Sequence, residues 1–194
     1  MIYWISHGIC VIISKIFFPI KAHGLKNLPK KGGFIFASNH RSNLDPFIVG
    51  IASSRRLNYM AKESLFRHPF LKFFLGKVGT YPVRRNSSDI KAIKETLKRL
   101  KTGPVLMFPE GTRKIAGGQK QIQAGIGLLA LKSGVPVVPV FIKGSDKVLP
   151  PGAKFFRHAR VHVYFGKPSS FSGRHSYEEV ARKIMHDVYA QDFH

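Results

Sequence analysis

Short apolar runs bounded by glycine, proline or polar residues recur along most of the chain. Runs of this kind are typical of strands that are buried on both faces of a sheet. They predict strands at 33–37, 57–61, 78–83, 104–108, 137–142 and 160–165. Helical periodicity lies between several of these runs and predicts helices at 88–101, 121–132 and 177–189. The alternation predicts an α/β fold, a single domain with a mostly buried mixed sheet flanked by helices.

Two of these elements carry further local signals. Ser87 or Ser88 is suited to cap the helix at 88–101, and Gly103 follows its end. Pro139 has no backbone N–H to donate, so we expect its strand at a sheet edge or at a bulge. A third segment, Gly125-Ile-Gly127-Leu-Leu-Ala130, imitates a dinucleotide fingerprint, but it follows no strand, and helix packing explains its glycines better.

Residues 1–20 form an apolar stretch of the length that spans a bilayer, without the charge and cleavage pattern of a signal peptide. On a helix, one stripe collects six isoleucines, whereas His7, Ser14 and Lys15 fall opposite; the stripe is Ile2, Ile5, Ile9, Ile12, Ile13 and Ile16. This pattern favours an amphipathic helix in the membrane interface or docked on the domain over a clean span. We therefore predict an N-terminal membrane-associating helix at 1–20 and one domain at 21–194.

The charge balance of the chain is unusual. Thirty-two Lys and Arg against ten Asp and Glu give a net charge of +22. Such an excess predicts an acidic partner, namely an anionic membrane surface, a phosphorylated substrate or a nucleic acid. Sixteen Phe residues favour a lipid-facing protein, and no nucleic-acid-binding module is recognisable. The single cysteine, Cys10, excludes an internal disulfide framework and a cysteine zinc site.

Two residue types used in acid–base catalysis lie within one turn of the segment 34–46. A strand ends near Ala37, and Pro46 is suited to the first turn of a following helix. His40 and Asp45 therefore share a strand-to-helix turn that can bring them into hydrogen-bond contact. A carboxylate on one imidazole nitrogen leaves the other nitrogen as a base. Spacing alone favours the structural interpretation, with Asp45 as an ordinary helix N-cap and His40 as a turn residue.

A second apolar strand runs directly into the sequence Pro-Glu-Gly-Thr-Arg, which ends at Arg113. Gly111 permits a ligand to approach the backbone closely. Thr112 and Arg113 offer a hydroxyl and a bidentate donor suited to a phosphate. Glu110 and Arg113 are also able to pair with surface charges, so this pattern alone leaves a structural role open.

Four motifs taken in order resemble the bacterial 1-acylglycerol-3-phosphate acyltransferases, the lysophosphatidate acyltransferase family. A His-x4-Asp motif lies at 39–45, an arginine motif at 79–85, Phe-Pro-Glu-Gly-Thr-Arg at 108–113 and Val-Pro-Val-Val-Pro-Val at 135–140. Any one of these motifs is a weak signal, whereas the four in this order and spacing are highly specific. The region that matches the family pattern covers about residues 24–170.

This resemblance implies transfer of a fatty acyl group from an acyl thioester to the 2-hydroxyl of 1-acylglycerol-3-phosphate, which gives phosphatidic acid. Acyl carrier protein or coenzyme A carries the acyl group as co-substrate, and neither a cofactor nor a metal is implied. By this analogy His40 removes the hydroxyl proton and Asp45 orients His40. Two groups are implied in acceptor binding: the cations Lys62, Arg85 and Arg113 hold the phosphate, and Glu110, Gly111 and Thr112 shape the glycerol site.

The chain departs from the family pattern at two places. Lys114 follows the motif arginine where the family often has a small polar residue. Gln123-Ala124-Gly125 stands where the family often has Lys-x-Gly. Acylation of another lyso-lipid, such as a lyso-ornithine lipid or another lysophospholipid, therefore stays open. An alternative outside the enzymes also stays open, namely a non-catalytic basic protein that binds a membrane or a nucleic acid.

The resemblance and the composition together imply a location. We expect the protein to be peripheral or monotopic at the cytoplasmic face of the bacterial inner membrane. The segment 64–77 supports this expectation because it mixes phenylalanines and leucines with basic residues. Cations next to a membrane gain about 1 kcal/mol each from an anionic leaflet.

Overall fold

The computed structural model describes residues 2–84, 89–110, 124–150, 152–153 and 155–193. Its strands are Ile20–His23 (β1), Ile35–Ser38 (β2), Asn58–Lys62 (β3), Thr80–Val83 (β4), Val105–Met107 (β5), Val137–Lys143 (β6) and Val161–Phe165 (β7). Its α-helices are Ile2–Phe17 (α1), Asp45–Ala52 (α2), Pro69–Lys77 (α3), Ile90–Leu100 (α4), Gly125–Ser133 (α5), Ser145–Val148 (α6) and Tyr177–Tyr189 (α7). Short 3-10 helices occur at Leu25–Asn27, Glu63–Phe66 and Ala190–Phe193.

The strands form one mixed sheet in the order β1–β7–β6–β2–β5–β3–β4. Each neighbouring pair is parallel except β6 with β7. The strands β2 to β6 therefore all point the same way, and their carboxyl ends meet at one edge of the sheet. Ligands of such sheets bind outside the carboxyl ends of the strands. The predicted α/β fold, with a mixed sheet flanked by helices, is confirmed.

Apolar side chains cover both faces of this sheet. On one face, Phe36 of β2 packs with Ile48 of α2 and Val163 of β7. On the other face, Leu129 of α5 and Ile184 of α7 lie in a second buried cluster. Every residue of β2 and β5 is buried, which explains why these strands read as unbroken apolar runs.

The predicted helices and inner strands are confirmed with small shifts at their ends. The helix predicted at 177–189 has those bounds in the structure. The side chain of Asp89 caps α4 by accepting from the backbone of Ala92, so the predicted serine caps, which lie outside the described residues, are wrong. The helix predicted at 1–20 ends at Phe17, and β1, which was not predicted, begins at Ile20.

Pro139 lies inside the sheet. The edge alternative for its strand is wrong, because β6 lies between β7 and β2. The bulge alternative agrees with the register, which shifts by one residue between the bridge Val137–Ser169 and the pair Val140–Phe165. The irregularity of the ladder accommodates a residue that has no N–H to donate.

The helix α1 docks on the domain through the side of its surface that carries fewer isoleucines. Tyr3 is buried there and its hydroxyl accepts from the backbone N–H of Leu57 at 3.3 Å. Ser14 is buried too and donates to a carbonyl of its own helix. Four of the stripe's isoleucines are 53–61% exposed: Ile5, Ile9, Ile12 and Ile16. Within the part of the chain that the structure describes, no helix combines the length and apolar character needed to cross a bilayer.

A close contact between helices fixes the position of α7. A Cβ atom added at Gly127 of α5 would lie 2.0 Å from the carbonyl oxygen of Tyr177, at the start of α7. Real Cβ atoms do not approach a backbone oxygen so closely, so the contact requires glycine. The interpretation as a helix-packing feature is confirmed for Gly127, whereas an added Cβ at Gly125 would meet nothing within 4 Å.

Candidate active site

The carboxyl edge of the sheet collects the predicted site residues that the structure describes. His40 follows β2, Glu110 follows β5, and Lys62 is the last residue of β3. The strands β2 and β5 are neighbours, and β3 lies one strand further, which is about 10 Å from β2. The other predicted residues lie outside the described part of the chain: Arg85, Gly111, Thr112 and Arg113.

A hydrogen bond of 2.8 Å joins His40 Nδ1 to Asp45 Oδ2. Asp45 is fully buried, and His40 exposes only 9% of its surface. The backbone N–H groups of Arg41 and Ser42 also donate to Oδ2, at 2.6 and 2.7 Å. Three donors therefore hold the carboxylate in one orientation against the imidazole ring.

This geometry differs from that of an ordinary helix cap. The N-cap position of α2 is Leu44, and Asp45 is the first helical residue. Its carboxylate turns back toward the loop instead of accepting from the first turn of the helix. Pro46 follows and has no N–H that needs a partner. Since Asp45 accepts at Nδ1, that nitrogen carries the proton, and Nε2 of His40 is left to accept one.

Two further side chains hold the histidine loop in place. The ring of Phe108 stacks on His40, with ring centres 4.2 Å apart and planes inclined by 23°. Asn39 is buried, and its side-chain amide bonds both to the N–H and to the carbonyl of Ile142, at 2.7 and 2.9 Å. These contacts tie the end of β2 to β5 on one side and to β6 on the other.

Glu110 is 8% exposed and has a partner from the far end of the chain. The hydroxyl of Tyr189, the last residue of α7, donates a hydrogen bond to Glu110 Oε1. The ring of Tyr189 meets the ring of Phe141 edge-on, with centres 5.8 Å apart. Tyr189 was not predicted from the sequence, because no motif includes it and it lies 79 residues from Glu110.

Positive side chains occur along this edge. Lys62 is exposed. Arg84 donates through Nε to both oxygens of Glu63, at 3.1 and 3.2 Å. The guanidinium of Arg41 lies 3.9 Å from Asp146. Such groups are suited to an anionic ligand. Among the described residues, no three His, Cys, Asp or Glu side chains are grouped as a metal ion would require.

The fold and the buried His40–Asp45 pair define an α/β protein equipped for acid–base chemistry at the carboxyl edge of its sheet. A family model described as Acyltransferase matches residues 19–143, which is more than half of the chain. The chain therefore belongs to the acyltransferase family. The match contains His40, Asp45, Lys62 and Glu110, and it ends before α7 begins.

Relatives in other organisms share one name. The 1-acyl-sn-glycerol-3-phosphate acyltransferase of Bacillus subtilis (strain 168) is 28% identical over 151 residues, 77% of this chain and 73% of that protein. The chloroplastic 1-acyl-sn-glycerol-3-phosphate acyltransferase LPAT1 of Arabidopsis thaliana is 31% identical over 157 residues. That alignment covers 78% of this chain but only 44% of the plant protein, so the chain spans less than half of its length.

A solved structure has the same fold. The crystal structure of the 1-acyl-sn-glycerophosphate (LPA) acyltransferase PlsC from Thermotoga maritima superposes with a TM-score of 0.77. The superposition covers 95% of this chain and 77% of that chain, at 24% sequence identity. The covered share of this chain is larger than residues 19–143, which the family model matches.

Proposed function

We propose that this protein transfers a fatty acyl group from an acyl thioester to the 2-hydroxyl of 1-acylglycerol-3-phosphate and so forms phosphatidic acid. The observation that carries the proposal is the buried 2.8 Å contact between His40 and Asp45, with two backbone donors on the same carboxylate oxygen. Membership in the acyltransferase family and the names of the relatives support the reaction and the acceptor.

In the proposed reaction, Nε2 of His40 takes the proton from the 2-hydroxyl while the hydroxyl oxygen attacks the thioester carbonyl carbon. Asp45 stabilises the imidazolium that forms. The tetrahedral intermediate then breaks its carbon–sulfur bond. The imidazolium returns the proton to the leaving sulfur, so the products are an ester and a free thiol. The mechanism needs no nucleophilic serine or cysteine and no cofactor besides the acyl thioester.

We assign the acceptor headgroup to residues at the end of β3 and after β4 and β5. Lys62, Arg85 and Arg113 are proposed to hold the phosphate, because a phosphate monoester carries up to two negative charges and Arg can bind it bidentately. Glu110, Gly111 and Thr112 are proposed to shape the glycerol site, and Glu110 comes two residues after Phe108, which contacts His40. The exposed side chain of Lys62 and the burial of Glu110 agree with these two roles.

The long acyl chains of the acceptor and the product imply a membrane surface. We propose that the protein is peripheral or monotopic on an anionic membrane, at the cytoplasmic face of the bacterial inner membrane. In support, Ile5, Ile9, Ile12 and Ile16 of α1 are exposed. On α3, Phe70 and Phe73 are exposed, and the Lys77 ammonium lies 5.3 Å from the Phe73 ring centre. Exposed aromatics with adjacent cations are suited to the lipid headgroup region.

The proposed function is tested by product identification. The protein is incubated with labelled acyl-coenzyme A or acyl carrier protein thioester and a panel of lyso-lipids, and the product is identified by mass. We expect phosphatidic acid from 1-acylglycerol-3-phosphate. Another acylated lyso-lipid as the main product would reassign the acceptor, and no acyl product with any acceptor would contradict the proposal.

Loss of the proposed base supplies the control for this assay. His40→Ala is expected to lower turnover by about 10²–10⁴-fold, which is the usual contribution of general-base catalysis. His186→Ala, at an 82% exposed side chain on α7, is the matched control and should leave turnover unchanged. Near-normal turnover in folded His40→Ala protein would exclude His40 as the base.

A further inference from the structure

We infer that Tyr189 is a positioning residue for the acceptor site and acts through its hydrogen bond to Glu110. The inference rests on the proposed function, because it takes Glu110 as part of the glycerol site. Tyr189 lies outside the residues that the family model matches, which end at 143. The structure thus extends the site to the C-terminal helix.

The sequence of α7 determines where its last residue lies. Ser176 and Glu179 form a reciprocal capping box that fixes the first turn. The contact at Gly127 fixes the position of the first residue of α7 along α5. Twelve residues later, at about 1.5 Å per residue, the helix has advanced by about 18 Å. Val188 is fully buried in the core, so the neighbouring Tyr189 is held at the carboxyl edge of the sheet.

The tyrosine itself is held in one orientation. Its ring packs edge-on against Phe141, a fully buried residue of β6. Gln191, two residues later, donates to a carbonyl of α7, and Asp192 binds the ammonium of Lys143 at 3.1 Å. The chain beyond α7 is therefore attached to β6 near the position where the Tyr189 hydroxyl meets Glu110.

The hydrogen bond from Tyr189 holds Glu110 in the loop that follows β5. This loop connects the His40–Asp45 pair with the proposed glycerol site. Phe108 stacks on the catalytic imidazole, and Glu110 comes two residues later on the same loop. The contact with His40 fixes Phe108, and the hydrogen bond from Tyr189 fixes Glu110 in the same loop. A tyrosine hydroxyl that fixes Glu110 therefore fixes the distance between the acceptor's glycerol and His40. Misplacement by about 1 Å can cost a reaction 10²-fold.

Removal of one oxygen atom tests this inference. Tyr189→Phe keeps the ring and its contact with Phe141 but removes the donor to Glu110. We expect kcat/KM for 1-acylglycerol-3-phosphate to fall about 10- to 150-fold, the range for a lost hydrogen bond to a charged group. The KM of the acyl thioester should stay within about twofold of the wild-type value, since no acyl-donor contact is assigned to Glu110. Tyr177→Phe, at the other end of the same helix, is the matched control and should behave as wild type.

A second background separates positioning from stability. In Glu110→Gln protein the acceptor of the hydrogen bond is neutral, and such a bond is about half as strong. In this background Tyr189→Phe should lower kcat/KM only about 3- to 12-fold, whereas an effect independent of Glu110 would lower it by the same factor as in the wild type. Thermal unfolding is measured on every variant.

The outcomes distinguish the inference from the function on which it rests. Wild-type protein without turnover contradicts the proposed function before any variant is compared. With active wild type, a Tyr189→Phe value of kcat/KM within twofold of wild type overturns the role of Tyr189. An equal loss for both substrates, with unchanged KM values and a lower unfolding temperature, assigns the tyrosine to stability alone and also overturns it.

Discussion

Replacement of Asp45 by Asn tests the proposed base directly, because it removes a charge and almost no volume. The amides of Arg41 and Ser42 and the ring of His40 all donate to one oxygen, Oδ2. An asparagine can place its carbonyl oxygen there and keep all three hydrogen bonds. The orientation and tautomer of His40 are then retained, and what is lost is the negative charge beside the ring.

The size of the effect follows from the geometry. With Nδ1 and Oδ2 2.8 Å apart, the centres of the two delocalised charges are roughly 4 Å apart. At an effective dielectric constant of about 20 their attraction is about 4 kcal/mol. Since each 1.36 kcal/mol of barrier changes a rate tenfold, about 10³-fold of kcat should be lost.

A second effect concerns stability. The other carboxylate oxygen of Asp45, Oδ1, is buried and accepts no hydrogen bond within the described residues. In Asp45→Asn protein, an amide NH2 group takes this position and has no acceptor there. A buried donor without a partner costs about 1–3 kcal/mol, so the free energy of unfolding should fall by that amount.

The assay follows thiol release from the acyl thioester in the presence of 1-acylglycerol-3-phosphate, with urea unfolding in parallel. Asp146→Asn is the matched control, since this partly exposed carboxylate on the same edge lies beside Arg41 without contacting the histidine. A kcat for folded Asp45→Asn within tenfold of wild type would refute the electrostatic reasoning. A fall to the level of His40→Ala would instead show that the carboxylate also sets the tautomer.

Three further outcomes test the packing, the phosphate site and the membrane face. Gly127→Ala is expected to lower the free energy of unfolding in urea by about 1–3 kcal/mol, whereas Gly125→Ala, where an added Cβ meets nothing within 4 Å, should not. Arg113→Lys should lower kcat/KM for 1-acylglycerol-3-phosphate, and Arg113→Ala should lower it further. If Arg113→Ala leaves unchanged the ratio of this kcat/KM to that for an acceptor without a phosphate monoester, phosphate recognition by Arg113 is contradicted. Ile9→Asn should weaken co-sedimentation with anionic vesicles by about threefold or more, whereas Ile90→Asn, at a 64% exposed isoleucine of α4, should not. If Ile9→Asn protein binds the vesicles as well as the wild type does, membrane contact by α1 is rejected.

Burial explains which strands were predictable from the sequence. The inner strands β2, β5 and β6 are covered on both faces, and an unbroken apolar run identifies such a strand. The edge strand β1 has the sequence Ile-Lys-Ala-His and exposes its lysine, so it has no such run. The edge prediction for Pro139 was wrong because a missing N–H indicates only an irregular ladder, and a bulge inside a sheet supplies one.

Sequence separation explains which site contacts were predictable. His40 and Asp45 are five residues apart within one turn, so their spacing permitted a contact, and the four motifs taken together favoured it. The bonds of Asn39 to Ile142 and of Tyr189 to Glu110 join residues 103 and 79 positions apart. Such contacts depend on how the helices and strands pack, and no local pattern encodes them.

The pairing of β1 has a consequence for the order of events during synthesis. Ile20 pairs with Val161, which is 141 residues later in the chain. At about 5–20 residues per second, a ribosome takes roughly 7–28 s to produce that partner. For this interval β1 has no strand to pair with, and the exposed isoleucines of α1 leave an apolar surface that a nearby bilayer can contact. We expect the sheet to close on a helix that already lies at the membrane, so that the domain is assembled in place and not recruited as a finished unit.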